Sequence, residues 1–68
     1  MINTIMLRQE MAKKHVTVKE LAAHLGLHRS TLYRKFSGDH QFSVAEAVEV
    51  IRLLGLPPDT AARIFFVL

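Results

Sequence analysis

The chain has no cysteine, so neither disulfides nor thiolate metal sites can hold its fold together. It has three glycines and two prolines, too few for long irregular loops, and each reads as punctuation between regular elements. Aromatic residues make up only 7% of the chain, which leaves few platforms for stacking single-stranded bases and argues against an RNA-binding role. No apolar run approaches the roughly 20 residues needed to span a bilayer. The N-terminus, MINTIMLRQE, lacks the basic start, long apolar stretch and small-residue cleavage site of a secretory signal, so a cytoplasmic, nucleoid-associated protein is expected. A Gly-rich phosphate loop is absent, as are paired carboxylates in an evident cleft, and a 68-residue chain offers little concave volume for a substrate. No enzyme and no cofactor are expected.

Half the residues are hydrophobic, enough for one small core and one domain over residues 1–68. The formal net charge of +3 is unevenly placed. Lys13, Lys14, Lys19, Arg29, Arg34 and Lys35 outweigh Glu20 and Asp39 between residues 13 and 40, whereas the last third of the chain is slightly acidic. Such an excess is the footprint expected of a surface facing phosphates, though charge alone is better read as a solvated basic face.

The periodicity predicts helices only. A first helix runs from about Thr4 to Lys14 with Leu7 and Met11 inward, and Val16 closes the connection. Thr17 with Glu20 forms a capping box for a second helix that buries Leu21, Ala22 and Leu25, and Gly26 ends it. Leu27 is expected to re-enter the core. A third helix spans about 29–36, with Leu32 and Phe36 as its inner face, and Ser37 to Gln41 is a turn. Ser43 with Glu46 caps a fourth helix, preceded by Phe42. Its stripe Val44, Ala47, Val48, Ile51 and Leu54 is expected inward, with Glu46, Glu49 and Arg52 toward solvent. Gly55 ends it, and Pro57-Pro58 opens a fifth helix with Ala61, Ile64, Phe65 and Leu68 on one face.

The stretch 17–38, TVKELAAHLGLHRSTLYRKFSG, carries the most information. Ala22 sits where two helices must approach closely, Gly26 permits a sharp turn, and Leu32 fills the angle between them. An ordinary helical hairpin would explain those three. It would not explain the hydrogen-bonding residues on the outer face of the third helix, the arrangement needed to enter a DNA major groove.

At these residues the chain resembles the Cro/repressor-type helix-turn-helix family, also called xenobiotic-response-element-like. The resemblance extends over SVAEAVEVIRLLGL, which looks like the family's fourth helix. It implies a five-helix, lambda-repressor-like DNA-binding domain. It also implies base contacts from Arg29, Ser30, Thr31, Tyr33 and Arg34, with Arg34 open between a base and a phosphate. Phosphate contacts fall to Lys19, His28, Lys35, Ser37, His40 and Gln41, helped by backbone N–H groups of the 37–41 turn. His28 stands where Ser or Thr often caps the recognition helix. The chain departs from the family at Val18, where Gln commonly bonds a phosphate; Lys19 is the candidate to take over.

His24 and His28 have helical metal-ligand spacing, but Gly26 lies between them and no third ligand is near in sequence, so no metal is expected. The run Ile64-Phe65-Phe66-Val67-Leu68 is harder to bury in a monomer. Phe65, Phe66, Val67 and Leu68 either form a homodimer interface, or Phe66 folds back near Ile2, Ile5 and Met6. The expected partners are double-stranded DNA and a second copy, at least on DNA. With no room for a sensing domain, control by concentration at an operator is expected. The rival class is an antitoxin-like or adaptor module whose apolar C-terminus binds another protein.

Overall fold

Three of the five helices begin where a short side chain satisfies a free N–H of the first turn. In the computed structural model, which describes residues 2–66, the order is α1 (Thr4–Lys13), α2 (Val18–Leu25), α3 (Arg29–Ser37), α4 (Val44–Leu54) and α5 (Pro58–Phe65). There is no strand among the described residues, and the fold is all-α. Asn3 Oδ1 accepts from Met6 N at 3.1 Å. Both capping boxes form: Thr17 Oγ1 accepts from Glu20 N at 3.1 Å while Thr17 N donates to Glu20 Oε1 at 3.0 Å. Ser43 Oγ accepts from Glu46 N at 3.0 Å and Ser43 N donates to Glu46 Oε1 at 2.8 Å. Each cap contributes about 1 kcal/mol. Pro58 starts α5, where its missing N–H costs nothing.

The sharp turn between α2 and α3 depends on Gly26, whose φ of 68° lies in the left-handed region. That geometry lets Gly26 N and Leu27 N donate back to Ala23 O and Ala22 O, closing the end of α2. The α1–α2 junction needs the same conformation but has His15 there, at φ 57°.

The core lies between the helices, with α1 against α5 and α2 against both α3 and α4. Leu7, Met11, Leu21, Ala22, Leu32, Phe36, Val50, Leu54, Leu56, Ala61 and Ile64 are buried. Asn3 N donates to Ile64 O at 2.8 Å, tying the start of the fold to α5. Thr4 Oγ1 donates to Phe36 O at 2.6 Å, tying α1 to the end of α3.

Several expectations fail in the packing, and Leu25, expected buried, is half-buried. Leu27 stops half-buried, because the chain turns outward into α3 immediately after Gly26. In α4 the inward face is Val50 and Leu54, whereas Val44 is 82% exposed and Val48 is 42% exposed. The helix is apolar on more than one side, and only the side of Val50 and Leu54 is fully buried in the core. Glu46, expected in solvent, is drawn against Lys35 of α3.

Candidate nucleic-acid interface

Helix α3 is anchored by Leu32, fully buried, and Phe36, with Lys35 also drawn inward toward α4. Arg29, Ser30, Tyr33 and Arg34 are exposed, and Thr31 is half-buried. Helical spacing stacks Arg29 over Tyr33 and Ser30 over Arg34, giving two adjacent pairs on the outer face. None of these five side chains makes a hydrogen bond or ion pair with another described residue. Tyr33 stands edge-on to Phe36, ring centroids 6.1 Å apart, which holds the phenol ring on this face.

The residues expected to meet phosphates divide into two groups. Lys19, near the start of α2, is exposed and unpaired among the described residues, as is His28. His28 has extended backbone angles (φ −70°, ψ 150°) and makes no side-chain cap bond to α3. His40 and Gln41 also lie exposed in the α3–α4 turn. Lys35 and Ser37 are engaged inside the molecule. Lys35 Nζ lies 2.9 Å from Glu46 Oε1 and donates to Gln41 O at 2.8 Å. Ser37 Oγ donates to Arg34 O at 2.9 Å. The turn's backbone is committed as well. Gly38 N donates to Lys35 O, and Asp39 N and His40 N both donate to Arg34 O, so these N–H groups close α3 and do not point at a ligand. The cause is Gly38, which at φ 88° folds the chain back over the last carbonyls of α3.

Arg8 reaches α3 without any signal in the motif. It is exposed on α1, and its guanidinium carbon lies 5.2 Å from the Phe36 ring centroid, beside the base of α3. Only the fold brings residue 8 to residue 36. Lys13, by contrast, pairs with Glu10 at 3.0 Å in a surface contact of the kind that contributes little.

A groove of about 460 Å³ has an apolar lining that includes Ile2, Phe42, Val44, Val48, Ile51 and Phe66, and it borders the α3–α4 turn at Lys35, His40 and Gln41. Phe65 is half-buried, edge-on to Phe42 at 5.8 Å. Phe66 is 69% exposed; it borders the groove with Ile2 and is not covered by the first helix, where Ile5 is itself 76% exposed. Val67 and Leu68 lie outside the described residues. No group of three or more His, Asp or Glu side chains suited to a metal is assembled among the described residues, and no helix there is long and apolar enough to cross a membrane.

Compared with known proteins, residues 5–64 match a family described as a helix-turn-helix domain. No curated protein and no solved structure matches the chain.

Proposed function

The chain belongs to the helix-turn-helix domain family, and from that membership we propose that it is a sequence-specific regulator of transcription: a Cro-like repressor, of phage or mobile-element style, that binds a palindromic operator as a homodimer. The observation that carries this reading is the outer face of α3. Arg29, Ser30, Tyr33 and Arg34 are exposed with their side-chain donors and acceptors unspent, on a helix fastened from behind by Leu32 and Phe36.

In this reading α3 lies in the major groove. Arg29 donates two parallel bonds to guanine O6 and N7, the pairing its planar fork suits best. Ser30 bonds either polarity of base edge, and the Thr31 methyl lies against a thymine methyl. Tyr33 and Arg34, one turn on, reach the outer base pairs. Lys19, His28 and Arg8 meet phosphates and set the register, with the side chains of His40 and Gln41 near the backbone at the far end. The function is binding, not catalysis, and its place is the cytoplasm, on the nucleoid.

Pairing of two copies draws support from the patch formed by Phe66, Val44 and Val48 around the groove. Exposed apolar area of this kind marks an interaction surface. The described chain measures 28 × 24 × 20 Å, so two copies side by side can set their α3 helices about 34 Å apart, one turn of DNA. The testing experiment is selection of bound fragments from random duplex DNA. Enrichment of an inverted repeat with half-site centres about 10 base pairs apart is expected. A pool with no enriched sequence would overturn the reading.

A further inference from the structure

The only side-chain ion pair between helices among the described residues is Lys35 with Glu46. The other two pairs, Lys13–Glu10 and Arg52–Glu49, each lie within one helix and involve well-exposed cations. Lys35 and Glu46 are different: their side chains are 11% and 19% exposed. The ammonium sits 2.9 Å from Glu46 Oε1, donates to Gln41 O at 2.8 Å, and lies 5.7 Å from the Phe42 ring centroid. The same Glu46 Oε1 accepts Ser43 N at 2.8 Å in the α4 capping box. One cation thus joins α3, the turn after it and the first turn of α4.

We propose that Lys35 is a positioning residue for base recognition, a clamp that sets the orientation of α3, and not a contact to DNA phosphate. The inference rests on the DNA-binding reading above. Apolar contacts at Leu32 and Phe36 resist withdrawal of α3 but are non-directional, so they tolerate small rolls of the helix about its axis. Directional restraint comes from two side-chain links to the rest of the fold, Thr4 Oγ1 to Phe36 O and the Lys35 cluster. Lys35 stands one turn beyond Thr31, on the reading helix itself. A roll of α3 would misplace the bidentate geometry of Arg29 while leaving general attraction to phosphates nearly intact. Two of the three ammonium protons already have acceptors and the charge is balanced, so the group has little left to offer a phosphate. Pulling it out would strand Glu46 in a partly dry site.

The test uses Lys35→Met, which keeps the stem over Phe42, Glu46→Gln, which keeps an oxygen for Ser43 N, and the double variant. Affinity is measured for a selected operator and for a scrambled duplex across a salt series, with Lys19→Ala as the phosphate control. Backbone amide exchange at Gly38 to Gln41 is measured without DNA. Each single variant is expected to lose roughly five- to tenfold of the preference for operator over scrambled DNA, with the double variant no worse than the worse single. The salt slope should stay at the wild-type value, while Lys19→Ala lowers it by about one. The amides of Asp39 and His40 should exchange several-fold faster in all three variants. If Lys35→Met lowers the salt slope by about one and Glu46→Gln leaves operator preference intact, Lys35 is a phosphate contact and the clamp is overturned. Unchanged amide exchange overturns the clamp even where operator binding stands. A wild type that prefers no duplex sinks the DNA reading, and the exchange data still decide whether the clamp exists. Should Lys35→Met fail to fold, Glu46→Gln carries the same test.

Discussion

Replacing Phe66 with Glu should separate two copies of the chain without unfolding either. The ring lies past the end of α5 and is already 69% exposed; its backbone N–H bonds to Ala62 O whatever the side chain. The substitution should therefore change the stability of a single copy by no more than about 0.5 kcal/mol. Its effect on association is larger. Full burial of a Phe side chain is worth roughly 2–3 kcal/mol, and with 69% still exposed about 1.5–2 kcal/mol remains to be gained per copy. Twofold symmetry counts that term twice, giving about 3–4 kcal/mol per dimer, or a few hundredfold in the dimer dissociation constant. A buried carboxylate facing its symmetry mate adds to the loss. Sedimentation velocity on the free protein reads the effect directly. Titration of a full palindrome against a single half-site reads it on DNA, where the variant should lose most of the wild type's advantage on the palindrome. Equal sedimentation and an equal palindrome-to-half-site ratio for Phe66→Glu and wild type would refute the assignment of this face to dimerisation.

Other outcomes follow from the same geometry. Arg29→Ala should lose about 1–3 kcal/mol of discrimination at one base pair, read by competition with single-base operator variants, whereas Lys19→Ala should weaken all duplexes alike and lower the salt slope by about one. His15→Gly should raise stability by roughly 0.5–1 kcal/mol, since a φ of 57° strains any residue with a Cβ; a thermal midpoint that does not rise would count against strain there. Acid should destabilise the fold through its two capping boxes. Burial pushes the Glu46 carboxyl up, but Ser43 N–H and Lys35 outweigh it; at Glu20 the Thr17 N–H and hydroxyl outweigh desolvation, so both groups titrate below the ordinary 4.5. A lowered folded-state pKa means that this stabilisation is complete above the unfolded value of 4.5 and is lost as pH falls through the folded values. Thermal midpoints should therefore be level above about pH 5 and fall below it, with a shallower fall in a Glu20→Gln, Glu46→Gln double variant, and an identical fall in that variant would show that the carboxylates are not the cause.

What could be read in advance was local. Thr17 with Glu20 and Ser43 with Glu46 meet their partners three residues away, so spacing alone locates both helix starts. Leu7 with Met11 and Leu32 with Phe36 are likewise paired by helical geometry. What escaped the sequence depends on distant elements. Val44 and Val48 belong to a periodic stripe, but periodicity does not say which side of a helix has a neighbour; Val50 and Leu54 enter the core, and Val44 and Val48 border the groove. Lys35 reads as one more basic residue on a basic helix until Glu46 and the Gln41 carbonyl arrive around it. Arg8 carries no motif at all, and only α1 crossing Phe36 brings it to α3. The N–H groups after Ser37 have the composition of a ligand-binding turn, yet Gly38 curls them back onto Arg34 and Lys35.

The two ends of α3 are built by opposite rules, and that contrast suits the reading surface proposed for it. Among the described residues it is the single helix with neither a side-chain cap nor an acidic residue in its first turn. It begins instead with Arg29, a cation placed at the positive end of the helix dipole, which costs stability of about 0.3–1 kcal/mol. A start so poorly stabilised by its own sequence would fray in isolation, since helices of this length are marginal in water. The other end compensates: Thr4 bonds the Phe36 carbonyl, Ser37, Asp39 and His40 all return to the Arg34 carbonyl, and Lys35 reaches the turn and α4. Leu32, fully buried in the middle, transmits that hold toward the start. Restraining contacts are thus concentrated on the backbone at the end of α3, while the side chains of its outer face keep their hydrogen-bonding capacity unspent. Capping α3 with Ser at position 28 would strengthen the helix by local rules, yet it would consume an N–H at the very end the proposed mechanism offers to DNA, a departure from local optimality of the kind expected at functional sites.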